Sequence, residues 1–408
     1  MGPDYQATTV GANRNAILLR THGCLLLSAD DDTVARTAVV PTACDDKTVV
    51  IGGERDASGL WVFPSAADAI RFVEFREFSI LDEHERLLGK ALSGILGARD
   101  AASRVNLENA CGHAFASLLS GCGRVMVSRS GIVGDAGIDS SAGLKLLPQL
   151  VARGRMLDSE ESYNEFLTFR DVVRVVSVTV VSDLNTLLTT AIALDNRDIL
   201  PPFMPGFRGE DGVFGTILSR CYDGTFGAQL PWAVLHLPPD VRQYSPAPLA
   251  GVRLSDIVSE CILSWNLPLP SFGAAERLRS LGAHIKAIGE LSYSDFVFSI
   301  RGLLWRRSGR IISACEAALK KHGRSPEFWA ADLEREEAAA RAACTDPSSV
   351  APLDVLPGRS VEETNRITQG FLRRFGELLF WWPSIVERAS DLARKGVGIG
   401  AAVGGCVS

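Results

Sequence analysis

The segment that most constrains the fold is the apolar run Leu25–Leu27, which leads to three consecutive carboxylates, Asp30–Asp32. An apolar run of this kind after Gly23 predicts a short buried strand in the interior of a sheet. Carboxylates at its carboxyl end would project into the crevice where open α/β sheets bind ligands. Three negative charges repel one another in a partly desolvated crevice, which favours a bound divalent cation such as Mg²⁺ or Mn²⁺. The alternative is an acidic turn, because Asp is common in turns.

Composition and charge exclude several classes of protein. The 408 residues are 46% hydrophobic and 22% charged, which predicts a folded protein of two or three domains. The net charge of −6 argues against a nucleic-acid partner, which usually needs a basic surface. Nine scattered cysteines form no C-x-x-C pair, as is typical of reduced thiols in a cytoplasmic protein. Met1–Val10 lacks signal-peptide features, and no segment is apolar over the about 20 residues that span a bilayer.

Hydrophobic periodicity divides the first half of the chain into short elements. It predicts a helix over Asn13–Arg20, a β-hairpin or small β excursion over Lys47–Phe63, a long mostly helical stretch over Ala66–Leu96, a buried strand over Gly123–Ser128 and a glycine-rich loop over Gly131–Gly137. The three glycines of that loop imply close backbone approach or positive φ angles.

The following segments predict two strands and a helix start. Val172–Ser182 is rich in valine and predicts a central strand, and Leu230–Leu237 predicts a short apolar strand with His236 near its end. A histidine in that position is more often structural than a ligand. Glu210 and Asp211 follow a proline-rich loop and open a helix, whose dipole favours negative charge at this end. The pair is therefore either a helix-capping feature or a functional pair of carboxylates.

Beyond about residue 246 the periodicity is helical, which predicts a domain boundary between residues 1–245 and a C-terminal α-helical domain over residues 246–408. The predicted helices are Leu254–Trp265, Ala274–Leu291, Tyr293–Lys321, Pro326–Ala343 and Ser360–Lys395. Clusters that would suit an anionic lipid or a glycan are Trp305-Arg306-Arg307, Arg373-Arg374 and Trp381-Trp382. We therefore expect a cytoplasmic protein, with a peripheral position on the inner face of the membrane left open.

In their order, these elements resemble the GT-A glycosyltransferases. The residues that carry the resemblance are Asn15 with Gly23, the acidic strand end Asp30–Asp32, the loop Gly131–Gly137, the pair Glu210-Asp211 and His236. The most specific part is Asp195–Gly215, which resembles a bacterial branch of family-2-like transferases with a D-N-R, a proline-stiffened loop and a G-E-D. The resemblance covers roughly residues 9–240. It implies an α/β fold with a partly Rossmann-like mixed sheet and flanking helices, and nothing about the helical remainder.

The resemblance also implies roles at the donor side of a site. Asp32 would bind a divalent ion, Mn²⁺ or Mg²⁺, against the diphosphate of a nucleotide sugar. His236 matches a second metal ligand in part of the superfamily. Asp30 would bind ribose or sugar hydroxyls and belong to the metal motif, while Arg14 and Asn15 would contact the donor.

At the acceptor side, the resemblance implies that the pair of carboxylates opening the helix supplies a base. Asp211 is the first choice to deprotonate an acceptor hydroxyl, and Glu210 is the substitute. A metal on the leaving diphosphate and one opposing carboxylate fit a single displacement with inversion. The expected function is metal-dependent, inverting transfer of a sugar from a nucleotide-sugar donor to a glycan, lipid-linked or small-molecule acceptor.

The chain departs from the family pattern at its start. Such enzymes place a strand and two β/α elements, which bind the nucleoside, before the acidic motif, and one β-α-β unit takes roughly 30 residues. Only 29 residues precede Asp30, and the first ten show no strand–helix pattern. Three explanations stay open: an incomplete copy or misassigned start, a partner chain that completes the sheet at its open edge, and a degenerate homologue. The helical domain is a further place where a protein partner could bind.

Two other functions compete with this interpretation. The main alternative is a non-catalytic binding or scaffolding protein derived from a glycosyltransferase. A metal-dependent nucleotidyltransferase would share the acidic strand end, but the order of Glu210-Asp211 and His236 argues against it.

Overall fold

The computed structural model shows a mixed α/β fold in which a curled sheet is flanked by helices and followed by a region of long helices. It describes residues 10–41, 48–52, 58–97, 103–105, 116–117, 119–120, 122–147, 150–183, 187, 189–245, 247–266, 272–346 and 350–397. At this level the expected α/β class with a helical C-terminal region is confirmed.

Eleven described strands form the sheet. They are β1 Cys24–Ala29, β2 Thr33–Val39, β3 Val49–Ile51, β4 Ser58–Phe63, β5 Glu74–Phe75, β6 Ser103–Val105, β7 Arg124–Asp135, β8 Asp171–Val176, β9 Thr179–Asp183, β10 Ala191–Asn196 and β11 Thr225–His236. The central order is β1-β10-β7-β11-β9-β3-β6, and β2, β4, β5 and β8 lie off this path.

The helices that precede residue 246 are mostly short, and those that follow it are longer. They are α1 Val10–Arg20, α2 Ala66–Phe72, α3 Ile80–Glu85, α4 Leu92–Gly97, α5 Leu150–Met156, α6 Glu160–Thr168, α7 Glu210–Cys221, α8 Leu254–Ser264, α9 Ala274–Gly289, α10 Tyr293–Lys321, α11 Glu327–Ala343 and α12 Val361–Arg394. The predicted first helix, the helix start at Glu210 and the C-terminal helices are confirmed to within a few residues. The hydroxyls of Ser292 and Ser360 cap α10 and α12.

Two long strands, β7 and β11, run parallel through the middle of the sheet. The first half of β7 pairs with β10 and the second half with β8. In the same way, β11 pairs first with β9 and then with β2. The pairing of β7 with β11 contains register shifts near the points where each strand changes its other partner. Such shifts are typical of β-bulges, which bend strands. The sheet therefore curls, and the end of β11 places His236 opposite Thr33, directly after the acidic turn.

The prediction of a buried interior strand before Asp30 is wrong. Among the described strands, β1 pairs only with β10 and so lies at an edge of the sheet. Leu26 packs against the largest apolar cluster, whereas Leu27 is 37% exposed. A continuous apolar run does not reveal whether one or both faces of a strand are covered, which explains the error. Asp30–Asp32 form the turn into β2, where Thr33 N donates to Asp30 O at 3.1 Å.

Two further predictions within the sheet region are wrong, and two hold only in part. Lys47–Phe63 contains the strands β3 and β4, as a β excursion would, but its described residues form no hairpin, because β3 pairs with β6 and β9 while β4 pairs with β8; Gly53 lies outside the described residues. Val172–Ser182 contains two strands, β8 and β9, instead of one central strand. The stretch Ala66–Leu96 is mostly helical as predicted, but β5 and the segments between α2, α3 and α4 interrupt it. Finally, β7 continues to Asp135, so most of the predicted glycine-rich loop is strand.

The helical region packs directly on the sheet region. Leu194 of β10 and Phe375 of α12 belong to the same apolar cluster, which is the largest cluster that the described residues form. Buried Trp382 donates its Nε1–H to Leu200 O at 2.7 Å, whereas its neighbour Trp381 is 58% exposed. The tryptophan pair is thus divided between core and surface. The proposed boundary near residue 246 stays a prediction.

Thiols and membrane segments can be assessed only over the described residues. There, Cys24, Cys122, Cys221, Cys261, Cys315 and Cys344 are free. Cys44, Cys111 and Cys406 lie outside the described residues. No described helix combines the length and apolarity that crossing a membrane requires.

Candidate active site

A cavity of about 760 Å³ opens where the acidic turn meets β11, α1 and α7. Six of the seven predicted site residues line it: Arg14, Asp30, Asp32, Glu210, Asp211 and His236. Two further segments contribute to the wall. One is residues 137–140, which follow β7, and the other lies within residues 247–256, at the start of α8 and just before it. The helical region therefore builds part of this cavity.

His236 and Asp32 meet at the cavity wall. His236 is 2% exposed, and its Nε2 lies 3.2 Å from Asp32 Oδ1. Its Nδ1 lies 2.7 Å from the backbone carbonyl oxygen of Asp135, which can only accept a hydrogen bond, so Nδ1 is the donor. In the neutral imidazole, Nε2 then brings a lone pair next to a carboxylate oxygen. This contact is favourable only with a cation at the pair, which is either a proton on Nε2 or a metal ion.

A divalent ion fits this pair of side chains. Metal-binding histidines usually donate their second N–H to a carbonyl or carboxylate, as Nδ1 of His236 does. Mn²⁺ and Mg²⁺ are held by few carboxylates and complete their shells with water and phosphate oxygens. Over the described part of the chain, no group of three or more His, Cys, Asp or Glu side chains is arranged to hold a metal ion. The protein would thus supply two ligands, and the substrate and water would supply the others.

A carboxylate behind His236 was missed by the sequence reasoning. Asp135 is 6% exposed and accepts hydrogen bonds from Arg170 at 2.8 and 2.9 Å and from Gly137 N at 2.9 Å. Burial opposes its ionisation, but these hydrogen bonds outweigh burial and hold the pKa of Asp135 below its usual value. Asp135 therefore stays charged and fixes the backbone that orients His236. No local signal reveals this contact, because it depends on the parallel pairing of β7 and β11.

Arg242 is a second residue that the sequence did not single out. Its Nη2 donates to Asp32 Oδ2 at 3.0 Å, so Asp32 contacts His236 through one oxygen and Arg242 through the other. The Arg242 side chain is 34% exposed and lines the cavity, where an anionic group of a substrate can reach it.

Arg14 joins the two acidic motifs of the cavity. Its Nη1 donates to Glu210 Oε1 and its Nη2 to Asp30 Oδ1, each at 2.6 Å. Burial raises the pKa of Asp30, and the positive charge of Arg14 limits that rise. Both amino groups of Arg14 are directed at carboxylates. In this structure, Arg14 therefore positions Asp30 and Glu210.

Asn15 lies beneath the cavity and is not part of its lining. Its Nδ2 donates to Phe203 O at 2.9 Å, and its Oδ1 accepts from Phe203 N at 2.7 Å. Asn196 similarly donates to Leu18 O at 2.8 Å. These bonds fasten α1 to the proline-rich loop and to β10. The donor contact expected of Asn15 is thus replaced by a structural role, because its buried amide is already engaged.

Asp211 is the carboxylate of the pair that forms no salt bridge among the described residues, although the charge of Arg14 attracts it weakly. Its Oδ1 accepts a hydrogen bond from Gly212 N at 2.7 Å. Burial, together with the adjacent charge of Glu210, raises the pKa of Asp211 to about 6. Glu210 is held by Arg14 at 2.6 Å. Of these two carboxylates, Asp211 therefore lacks an ion pair and has a pKa of about 6, near neutral pH, which is what a general base needs.

The start of α7 is fixed against α8. Gly209 adopts a left-handed conformation with φ of 86° and ends the loop that precedes Glu210. A Cβ at Gly209 would lie 2.5 Å from Ser255 Oγ, so the two segments touch closely. The first turns of α7 and α8 are therefore neighbours in the cavity wall.

Comparison with protein-family models, curated proteins and solved structures finds no match for this chain. The site is therefore interpreted from its own geometry. It combines a carboxylate–imidazole pair that suits a divalent ion, a carboxylate whose pKa is about 6, and arginines that face the same cavity. Such a set can hold an anionic leaving group and accept a proton nearby.

Proposed function

We propose that this chain is a metal-dependent glycosyltransferase of the GT-A type, which transfers a sugar from a nucleotide-sugar donor to an acceptor hydroxyl with inversion. The observation that carries the proposal is the 3.2 Å approach of His236 Nε2 to Asp32 Oδ1 in the cavity that Asp211 also lines. These residues are distant in sequence, and the D-x-D, E-D and histidine elements of the resemblance meet in one place.

The donor side of the proposed site is built around Asp32. Asp32 and His236 would hold Mn²⁺ or Mg²⁺, and the ion would neutralise charge on the departing diphosphate. Arg242 lies beside Asp32 and would contact the same diphosphate. Asp30 is kept in place by Arg14 and faces the cavity, where sugar or ribose hydroxyls would be its partners.

The acceptor side of the proposed site is built around Asp211. Its carboxylate accepts the proton of the acceptor hydroxyl as that oxygen forms the bond to the anomeric carbon of the donor sugar. The bond from that carbon to the diphosphate oxygen breaks in the same displacement, so the configuration at carbon inverts. Glu210 stays ion-paired with Arg14 and supports the position of Asp211.

A second function, binding without catalysis, is favoured by one specific observation. Arg242 and Arg14 already compensate the charges of Asp32, Asp30 and Glu210 without any metal. A protein that had lost its metal could keep this arrangement. The two functions differ in whether a divalent ion and a nucleotide sugar bind together at Asp32.

The experiment that separates them is calorimetry with Mn²⁺ and a panel of nucleotide sugars. If the chain is a transferase, Asp32→Asn should lose the joint binding of Mn²⁺ and a nucleotide sugar, because the carboxylate ligand becomes a neutral amide. Asp240→Asn is the matched control, because Asp240 is an exposed carboxylate outside the cavity lining and should leave binding within about threefold of wild type.

Equal binding by wild type and Asp32→Asn would contradict the proposed metal site. Absence of binding by every nucleotide sugar in the panel, with and without Mn²⁺, would favour the non-catalytic function.

A further inference from the structure

Three arginines line the cavity on the side of α7 and α8: Arg208, Arg253 and Arg307. They come from the loop before α7, from the residue that precedes α8, and from the middle of α10. Arg208 is exposed, whereas the side chains of Arg253 and Arg307 are 29% and 17% exposed. The cavity therefore has a second group of arginines, with Asp139 and Asp256 beside them, apart from Arg242, which is bound to Asp32.

These arginines share the cavity wall with the proposed base, and two of them lie on segments that adjoin it or contact its neighbour. Arg208 is three residues before Asp211, and the intervening Gly209 lies against Ser255 of α8. The carboxylate of Asp256 accepts a hydrogen bond from Arg253 N at 2.8 Å and lies 3.5 Å from Arg307 Nη2.

The guanidinium groups of these arginines retain free donors. Arg253 uses Nη1 for one hydrogen bond to Asp139 at 2.7 Å. Among the described residues, Arg307 makes one ion pair, its 3.5 Å contact with Asp256, and also lies near the charge of Glu260; Arg208 has no ion pair there. Each guanidinium carries five N–H donors, so most of them remain available to a ligand. Guanidinium groups bind phosphate strongly because their paired N–H bonds match its oxygens.

The other part of this wall is apolar. Leu353 is 44% exposed, lines the same cavity, and donates its backbone N–H to Val252 O at 2.8 Å, next to Arg253. A ligand held by the arginines could therefore place a non-polar portion against Leu353.

We propose that Arg208, Arg253 and Arg307 bind a phosphate group of the acceptor, which orients the acceptor hydroxyl toward Asp211. This inference rests on the proposed transferase function, since that function assigns Asp211 as the base. The donor diphosphate is assigned to Asp32, His236 and Arg242, which leaves this second cationic group for the acceptor. The acceptor is then a phosphorylated sugar or a phospholipid, two sources of the same chemical group.

The test is calorimetric titration of the full chain with inorganic phosphate in the presence of a chelator and without a nucleotide sugar. Arg307→Gln and Arg253→Gln should each weaken phosphate binding at least about tenfold, as expected for loss of hydrogen bonds to a charged group. Arg388→Gln is the matched control, because Arg388 is an exposed arginine of α12 outside the cavity lining, and it should bind as wild type does. Arg307→Lys keeps the positive charge but loses the paired N–H donors of the guanidinium, and should weaken binding less than Arg307→Gln.

Sedimentation with phosphatidylcholine vesicles, with and without phosphatidic acid, distinguishes the two sources. Binding to phosphatidic acid vesicles that Arg307→Gln removes identifies a lipid phosphate. Binding of inorganic phosphate without binding of the vesicles, when Arg307→Gln removes the phosphate binding, identifies a soluble phosphorylated acceptor. The inference is overturned if neither probe binds, or if binding is unchanged in both glutamine variants while circular dichroism shows that they are folded.

Asp32→Asn separates this inference from the proposed function. It should retain phosphate binding, because the cluster contains none of the proposed metal ligands. Loss of phosphate binding in Asp32→Asn would show that inorganic phosphate binds at the donor side of the cavity. That result would overturn the proposed acceptor site without contradicting the proposed metal site. Conversely, phosphate binding at the arginines with no metal or nucleotide-sugar binding would reject the transferase alone.

Discussion

Asp211 and Glu210 are adjacent carboxylates with different surroundings. Glu210 faces the buried guanidinium of Arg14 at 2.6 Å, whereas Asp211 forms no ion pair among the described residues, and the repulsion of Glu210 exceeds the attraction of the more distant Arg14. Burial and that repulsion both penalise the charged form of Asp211. The contrast divides the pair into one positioned carboxylate and one proton acceptor.

The raised pKa of Asp211 predicts the pH dependence of transfer. A base must be deprotonated, so kcat/KM should rise with pH through about 6 and level off above it. Asp211→Asn should lower kcat by about 10²–10⁴-fold and leave donor binding in place. Initial rates from pH 5 to 8 check both results. If kcat/KM of the wild type instead rose through a pH near 4, or if Asp211→Asn kept its turnover, the base would be another residue.

The same pKa has a consequence for stability with a defined sign. Because the folded state binds the Asp211 proton more tightly than the unfolded chain does, this group stabilises the fold at low pH, and its contribution falls as pH rises from about 4 to about 6. Urea denaturation should therefore show a smaller decrease across this window for Asp211→Asn than for wild type.

Asn15 is predicted to act on stability. Asn15→Ala would leave the buried N–H and C=O of Phe203 without their side-chain partners, at a cost of about 2–4 kcal/mol in the free energy of unfolding. Asn13→Ala is the control on the same helix, because Asn13 is exposed, and should change stability by less than about 0.5 kcal/mol. Urea denaturation measures both. Equal stabilities of the two variants would reject the structural role of Asn15.

At the scale of elements, the helices were predicted more accurately than the strands. α10 begins and ends where its periodicity predicts, and α12 begins within one residue of its predicted start; the structure shows that Ser292 and Ser360 cap them. Helix signals of this kind are local, because both the cap and the apolar face lie within one segment. The sequence therefore contains nearly all the information that fixes these helices.

Strand predictions failed where the answer depends on distant partners. The glycines of β7 suggested a loop, yet Gly131 and Gly134 lie within the strand and permit close packing, since a Cβ at Gly134 would lie 2.4 Å from His236 O. The run Val172–Ser182 divides because its halves pair with different strands. Neither fact is encoded in the local alternation of apolar residues.

The contact between α9 and α12 gives a prediction at this scale. A Cβ at Gly376 would lie 2.4 Å from Lys286 N and 2.7 Å from Gly282 O, both backbone atoms that cannot move without separating the helices. Gly376→Ala should therefore destabilise the fold by about 1–3 kcal/mol or more. Gly370→Ala, on the same helix with no atom within 4 Å of the added Cβ, should instead stabilise it by up to about 1 kcal/mol. Thermal unfolding compares the two, and similar shifts would show that the close helix contact is absent.

At the scale of the whole molecule, the cavity exists only because distant segments converge. The acidic turn and His236 could be named from the sequence, but their 3.2 Å approach depends on the curl that brings β2 beside the end of β11. Arg242, Asp135 and Arg253 carried no motif, because their roles arise from tertiary contacts alone. Arg307 belonged to the predicted cluster Trp305-Arg306-Arg307, but its position in this cavity also depends on tertiary contacts. The helical region, which no resemblance covers, supplies one wall of the cavity and shares the largest described core.

The most direct measurement of the central claim is an anomalous difference map at the manganese edge, from crystals soaked with Mn²⁺ and a nucleotide-sugar donor. The account predicts one peak that contacts both Asp32 Oδ1 and His236 Nε2, with the donor diphosphate bound to the same ion. A fully bound donor with no manganese at that pair, or manganese held elsewhere in the cavity, would contradict it.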